Sequence, residues 1–371
     1  MAELGDPELL TTQLTDRMIA YAAIDAVAGH EQALVRRLRD DLTEILGEAR
    51  VDPFGNVVAT RVGPADGPSL MIAAHSDEIG GVVKAIEPSG MIRFERLGGA
   101  IETLLVGRAV RIRGYNGVIG AKAGHITSPA ERLIVPPLRE LYVDMGFETE
   151  AEIEALGIKI GDPIAYDAPA RQLANPRRWS GKALDNRVGC AMIVELGRLL
   201  VNVELQCTLH LVVSTQEEVG LRGARMVTHH LAPTAAIVVD TMPAGGTPDV
   251  SLTKDLSMEI GKGPVITLVS QGSNAGAIAQ PGMRAHLVAA AERESIPYQL
   301  ALFYGGNSDA ASVHLVGDGV PTGIVNLARR YSHSPVETLD MEDAFNALRL
   351  LAAATRTFSA KTDLSFFAGE L

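Results

Sequence analysis

The chain has 371 residues, 47% of them hydrophobic and 21% charged, which excludes extensive disorder and allows one large domain or two of ordinary size. Lys and Arg total 33 against 45 Asp and Glu, giving a net charge of -12 and a pI near 5.3. That balance disfavours nonspecific contact with nucleic acid or an anionic membrane, so neither is expected as a partner. The two cysteines, Cys190 and Cys207, are too few for a disulfide scaffold and sit in apolar surroundings, as buried thiols of a reducing compartment would. Met1 to Leu10 carries Glu3, Asp6 and Glu8 with no basic or apolar signal region. No apolar run reaches the roughly 18 residues of a membrane span. A soluble, cytoplasmic protein is expected.

In chain order, Leu10 to Leu46 reads as helices broken near Ala28-Gly29, with Leu34, Leu38, Leu42 and Leu46 spaced at i+4. Apolar runs of strand length follow at Leu70 to Ala74, Leu209 to Val213, Ala235 to Val239 and Gly323 to Leu327. Their near-continuous apolarity suits central strands covered on both faces. Helical segments lie between them, notably Arg187 to Leu200 and Arg284 to Glu294. This alternation predicts an α/β fold with a mixed, mostly parallel sheet sandwiched by helices. The stretch from about Ile79 to Pro169 differs. Short runs at Met91 to Glu95, Ala109 to Arg113 and Gly117 to Ile119 are punctuated by glycines and interrupted by one helix, Thr149 to Leu156. It reads as a small β-rich domain inserted into the larger one. The expected boundaries are 1–78 and 170–371 for the two parts of the catalytic domain, and 79–169 for the insertion.

Ligand-type residues gather where the central strands end. His75-Ser76-Asp77-Glu78 follows the first, Gln216-Glu217-Glu218-Val219-Gly220 the second, Asp240 the third and Tyr331-Ser332-His333-Ser334 the fourth. Asp185 precedes the helix beginning at Arg187. Open α/β sheets bind ligands outside the carboxyl ends of their strands, so these groups converge on one edge. Each also has a plainer reading: His75 as a structural histidine, Glu217-Glu218 as a solvated acidic pair, Asp240 as a turn residue, Asp185 as an N-cap, His333 as a loop cap before Pro335. Asp77, two residues after His75, favours a metal site, because a metal-bound histidine commonly gives its second N–H to a carboxylate. Together, two histidines and three or four carboxylates suit two divalent metals with mixed N/O ligands.

His30, His210, His229, His230 and His286 lack carboxylate company and read as structural or surface residues, while His125 and His314 stay undecided. Gly305-Gly306-Asn307-Ser308-Asp309-Ala310 lacks the Gly-Lys-Ser/Thr ending of a P-loop and reads as a tight turn lining a substrate cleft. Gly181-Lys182 is followed by no Ser or Thr and is not a P-loop either.

Four ordered motifs resemble those of the tetrahedral (TET-type) aminopeptidases, dinuclear metallopeptidases also labelled glutamyl aminopeptidase or cellulase M. They are His75-Ser76-Asp77-Glu78-Ile79-Gly80, Ala183 to Gly189, Gln216 to Ala224 and His333-Ser334-Pro335-Val336-Glu337, and the likeness spans nearly the whole chain. Gly117-Val118-Ile119-Gly120 followed by His125 is also family-like. The resemblance implies a zinc-peptidase-like catalytic domain, with a barrel-like insertion serving oligomerisation or substrate access. It implies two divalent ions per chain, zinc first, with cobalt or manganese as alternatives. His75 and Asp240 would hold one ion, Glu218 and His333 the other, and Asp185 would bridge. Glu217 would be the general base and Asp77 the residue that orients His75. The implied activity is cleavage of N-terminal residues from short peptides by a homo-oligomer, a dodecamer in the family. Two departures stand out: Asn186 where the family often has a second Asp, and Gly306-Asn307-Ser308-Asp309-Ala310 where its usual turn is Gly-Gly-Thr-Asp-Ala. A dinuclear deacylase and a non-catalytic scaffold on a peptidase fold are the competing readings. Glycoside hydrolysis has weak support, since its usual catalytic pair is two carboxylates without metal.

Overall fold

A computed structural model describes residues 6–273 and 275–368. The part of the N-terminal segment that carries Glu3, and the outer ends of the expected domain boundaries at 1 and 371, lie outside the described residues.

The chain opens with α1 (Pro7–Ala22) and α2 (Gln32–Leu46), then β1 (Arg50–Val51), β2 (Val57–Arg61) and β3 (Ser69–His75). Six strands follow: β4 (Gly80–Ile86), β5 (Ile92–Leu97), β6 (Ala109–Ile112), β7 (Tyr115–Ile119), β8 (Val143–Asp144) and β9 (Pro163–Tyr166), with α3 (Glu150–Ala155) before the last. Beyond the small strands β10 (Arg171–Gln172) and β11 (Arg178–Gly181) come α4 (Leu184–Leu200), β12 (Thr208–Ser214), α5 (Arg222–Leu231) and β13 (Ala235–Pro243). The remainder is β14 (Val265–Gln271), β15 (Gly276–Ile278), α6 (Pro281–Arg293), β16 (Gln299–Tyr304), α7 (Ala310–Val313), β17 (Thr322–Arg329), β18 (Glu337–Asp340) and α8 (Met341–Thr357).

The main sheet has the order β1-β2-β12-β3-β13-β17-β14-β15, with β16 paired to β14. Its centre, β12-β3-β13-β17, is parallel, and antiparallel pairings flank it. The four central strands are the four apolar runs of the sequence, each buried on both faces. Five helices, α1, α2, α4, α6 and α8, cover one face, and α5 and α7 cover the other. α4 is the inner helix of the thicker layer, and small residues let it lie close to the sheet. A Cβ on Gly197 would touch Leu211 Cδ1 at 3.1 Å. Both cysteines are buried and unpaired.

Strands β4 to β9 close into an antiparallel barrel in the order β4-β5-β8-β7-β6-β9, with its own core around Val83, Ile92, Phe94, Ile112 and Ile164. The barrel leaves the sheet at once after His75, because only Ser76 to Ile79 separate β3 from β4. That short connection is held by buried ions. The Glu78 carboxylate accepts both Lys182 Nζ contacts at 2.9 Å, Arg187 Nη2 at 3.0 Å and the main-chain N–H of Ala26 at 2.8 Å. Lys182 also meets Asp25 at 3.0 Å, and Asp25 meets Arg111 of the barrel at 2.7 Å. One ionic chain therefore joins the helical layer, the barrel and the start of α4.

Removing Glu78 leaves two buried cations without their shared anion. Glu78→Ala is expected to lower unfolding stability by about 3–5 kcal/mol in urea titrations. Glu95→Ala, which breaks an exposed pair with Lys84, should cost under about 1 kcal/mol. Equal, small losses for the two variants would contradict this account.

Candidate metal centre and substrate cleft

The parallel register brings the ligand-type residues level with one another. Ser214 of β12 pairs with His75 of β3, so Thr215 to Glu218 emerge beside the histidine. On the other side Val238 pairs with Ala73, which sets Asp240 at the height of His75. Asp240 lies inside β13 rather than at its end, as the strand continues to Pro243. Asp185 and Asn186 have non-helical backbone at the start of α4, and regular helix begins at Arg187. Asn186 is a structural pin there: its amide donates to Val239 O at 2.9 Å and its Oδ1 accepts Gly189 N–H at 3.0 Å.

The result is two groups of ligand atoms that share one carboxylate. His75, Asp185 and Asp240 form the first, and Asp185, Glu218 and His333 the second. His75 Nε2 lies 3.3 Å from Asp185 Oδ1 and 3.5 Å from Asp240 Oδ1. His333 Nε2 lies 3.3 Å from Asp185 Oδ2 and 3.4 Å from Glu218 Oε1. Ligands at about 2.0–2.2 Å from a tetrahedral ion stand about 3.3–3.6 Å apart, and all four spacings fall in that range. Asp185 Oδ1 is buried with no hydrogen-bond partner, an acceptor open to a cation. Donor types, spacing and this orphaned oxygen all fit divalent metal.

The surrounding contacts orient these groups. His75 Nδ1 is 3.1 Å from the main-chain carbonyl of Asp77 and 3.5 Å from its carboxylate. The orienting acceptor is therefore the Asp77 carbonyl, which holds the proton on Nδ1 and leaves Nε2 free. The Asp77 carboxylate instead accepts the main-chain N–H of Glu217 at 2.9 Å and of Glu218 at 3.0 Å. It is buried completely and fixes the turn on which both glutamates ride.

Two residues that sequence reasoning did not single out complete the arrangement. Arg329, at the end of β17, is 2% exposed and meets Asp185 Oδ2 at 2.8 Å and Glu337. Glu337 accepts the main-chain N–H of Asp185 and of His333, each at 3.0 Å. The signal was an arginine closing a buried, mostly apolar strand, with a glutamate eight residues on in a ligand motif. Gly99 from the barrel side also approaches, since a Cβ there would lie 2.6 Å from His333 Nδ1. Among the described residues, five of the eight non-glycine positions with positive φ flank the site: Ala183, Gln216, Leu221, Tyr331 and His333. Backbone strain of this kind is held where function requires it.

Burial first, then neighbouring carboxylates, pushes the Glu217 carboxyl well up, against the opposing pull of His75. The same desolvation raises Glu218 to about 7. For His333, burial lowers the pKa but Glu218 and Asp185 outweigh it and bring it to about 9. Asp185 is held well below its ordinary value despite burial, because Arg329 and both histidines favour its charge.

A cleft of about 620 Å³ opens over the centre, lined in part by Glu217, Leu221, Pro243, Phe303 and Gly306. The Gly305 to Asn307 turn is in its wall, and Asp309 behind it accepts Ser214 Oγ at 2.6 Å, tying the turn to β12. The remaining histidines stay outside. His210 Nδ1 pairs with Thr60 Oγ1 at 2.9 Å and His286 Nε2 with Ala354 O at 2.8 Å. His125 is exposed in a short turn, and His314 closes α7 half-buried.

A family profile for M42 glutamyl aminopeptidases matches residues 55–350. The glutamyl aminopeptidase of Lactococcus lactis subsp. cremoris is 30% identical over 348 residues, covering 92% of this chain and 95% of the relative. An aminopeptidase structure from the archaeon Desulfurococcus kamchatkensis aligns with a TM-score of 0.88 at 33% identity, covering 94% of this chain and 95% of the other. The TET1 peptidase of Pyrococcus horikoshii, which can assemble into a tetrahedron or a large octahedral shell, gives 0.80 at 28% identity, covering 93% and 99%. The chain belongs to the M42 glutamyl aminopeptidase family and is a metal-dependent aminopeptidase.

Proposed function

We propose that the chain removes N-terminal residues from short peptides at a dinuclear centre, with His75 and Asp240 on one ion, Glu218 and His333 on the other, and Asp185 shared. The observation that carries this reading is that Asp185 turns Oδ1 to His75 and Oδ2 to His333, both at 3.3 Å. The spacing suits zinc, and cobalt or manganese would accept the same ligand mix. Bound there, the ions would supply Lewis acidity to water and to the peptide carbonyl.

The chain's own residues do the rest. Glu217, buried and lining the cleft, takes the proton from the attacking water and hands it to the leaving amine. Its place in the cleft wall, next in sequence to the ligand Glu218, suits a group that takes up and gives back a proton. Asp77 keeps Glu217 and Glu218 in fixed relation by holding both of their N–H groups. Arg329 and Glu337 keep Asp185 and His333 in place. A cleft of about 620 Å³ accommodates the end of a peptide rather than a folded chain.

The working assembly is a homo-oligomer, a dodecamer by analogy with a related TET1 structure solved as a dodecamer. Apolar side chains at the barrel end support it: Ile126, Leu133 and Ile134 are 71%, 89% and 64% exposed. A cytoplasmic site of action accords with two free thiols and an acidic composition. Among the described residues, no helix is long and apolar enough to cross a membrane.

Glu217→Gln should retain its metal, measured by elemental analysis, while kcat on a free-amine peptide falls by about 10²–10⁴-fold. A near wild-type rate would place the base elsewhere, and loss of metal would mean that Glu217 is a ligand. Light scattering of the wild-type protein is expected to give a mass near twelve times the 39.3 kDa chain. A monomer across micromolar concentrations would contradict the assembly.

A further inference from the structure

We infer that the cleft selects peptides whose first residue carries an uncharged, apolar side chain; this rests on the aminopeptidase reading above and narrows it. The inference comes from the charges of the cleft. Apart from the groups assigned to the metals and the base, Arg329 is the one charged side chain among the described lining residues. Arg329 is already committed, to Asp185 at 2.8 Å and to Glu337. A glutamyl or aspartyl side chain entering here meets no free cation. A lysyl or arginyl side chain meets no carboxylate that is not already a ligand or the base. Either would give up its hydration without an opposite charge to meet, which disfavours it.

What remains of the wall is uncharged: the small polar side chains of Thr241, Ser273, Asn307 and Ser332, apolar side chains, and backbone. Leu221, Pro243, Ala275 and Phe303 contribute the apolar surface, with Gly272, Gly305 and Gly306 between them. The wall is built closely. A Cβ on Gly306 would sit 2.6 Å from Phe303 Cε1, so glycine there lets the ring lie flat against the turn. Gly272 N–H donates to Asn307 Oδ1 at 2.9 Å, and a Cβ on Gly272 would fall 2.4 Å from Asn307 Nδ2. Asn307 therefore clasps the end of β14 to the turn before α7. That clasp holds the turn that begins two residues after Phe303, which lies on β16 at the cleft surface. Asn307 thus shapes the pocket without touching the reacting atoms, and Phe303 is its apolar floor. The preference that follows differs from the glutamyl specificity in the family's name.

The test uses the metal-loaded wild-type protein and four otherwise identical peptides beginning with leucine, alanine, glutamate or lysine, plus the N-acetylated twin of the leucyl peptide. The leucyl peptide should be shortened with kcat/KM at least about tenfold above the glutamyl and lysyl ones, a gap typical of a pocket with no partner for a charge. A glutamyl or lysyl peptide cleaved as fast as the leucyl one overturns the inference and leaves the aminopeptidase reading intact. Cleavage of the acetylated twin as fast as the free peptide, or of no free peptide at all, overturns both. Phe303→Ala provides a second arm. The ratio of leucyl to alanyl kcat/KM, which does not depend on how much of the variant is folded, should drop severalfold. An unchanged ratio would remove Phe303 from the pocket and overturn the proposed floor.

Discussion

Asp185 has to present one carboxylate oxygen to each of two histidines, His75 and His333, at 3.3 Å on either side. A carboxylate on a flexible chain would not hold that position, and three separate elements hold it. Glu337 fixes its main-chain N–H, Arg329 its Oδ2, and Asn186 anchors the next residue to β13. Arg187, where the regular part of that helix begins, is buried against Glu78 and the carbonyls of Tyr21 and Ile24. The start of α4 is thus clamped from the sheet, from the helical layer and from the β17–β18 connection. The polar residues buried around the site follow from this requirement.

The electrostatics lead to the same place. Asp77, Asp185, Glu217 and Asp240 are buried within a small volume, and the Glu218 side chain is 5% exposed. Opposite them, among the described residues lining the cleft, stand the two histidines and Arg329. Burial raises Glu217, Glu218 and Asp240, whereas Asp185, nearest Arg329, is lowered. A cluster that crowds carboxylates in a desolvated site costs stability by itself and gains most from cations of high charge density. The fold tolerates it because the parallel strands and the ionic chain through Glu78 are strong enough to impose the geometry.

Much of this was legible in the sequence. The four central strands announced themselves because strands buried on both faces are apolar without alternation. His75, Glu217-Glu218 and His333 were visible because charged and imidazole groups directly after such strands are out of place in a core. Asp240 was found for the same reason, although β13 runs on to Pro243 and the carboxylate interrupts the strand instead of ending it. Closure of the barrel was less accessible, since it depends on pairing β4 with β9, where Gly81 meets Ile164. The contacts of Asp77 were inaccessible for a similar reason: its partners are main-chain N–H groups 140 and 141 positions away. Arg329 and Glu337 looked like ordinary ends of a strand and a motif, because only folding brings them to Asp185.

The central claim is that one carboxylate organises two metal sites, and metal stoichiometry tests it most directly. Wild-type protein stripped, reloaded with zinc and dialysed should hold two ions per chain by elemental analysis, and Asp185→Ala should hold fewer than one while remaining folded by circular dichroism. Two tightly held ions in the folded Asp185→Ala variant, or a single ion in the wild type, would contradict the account.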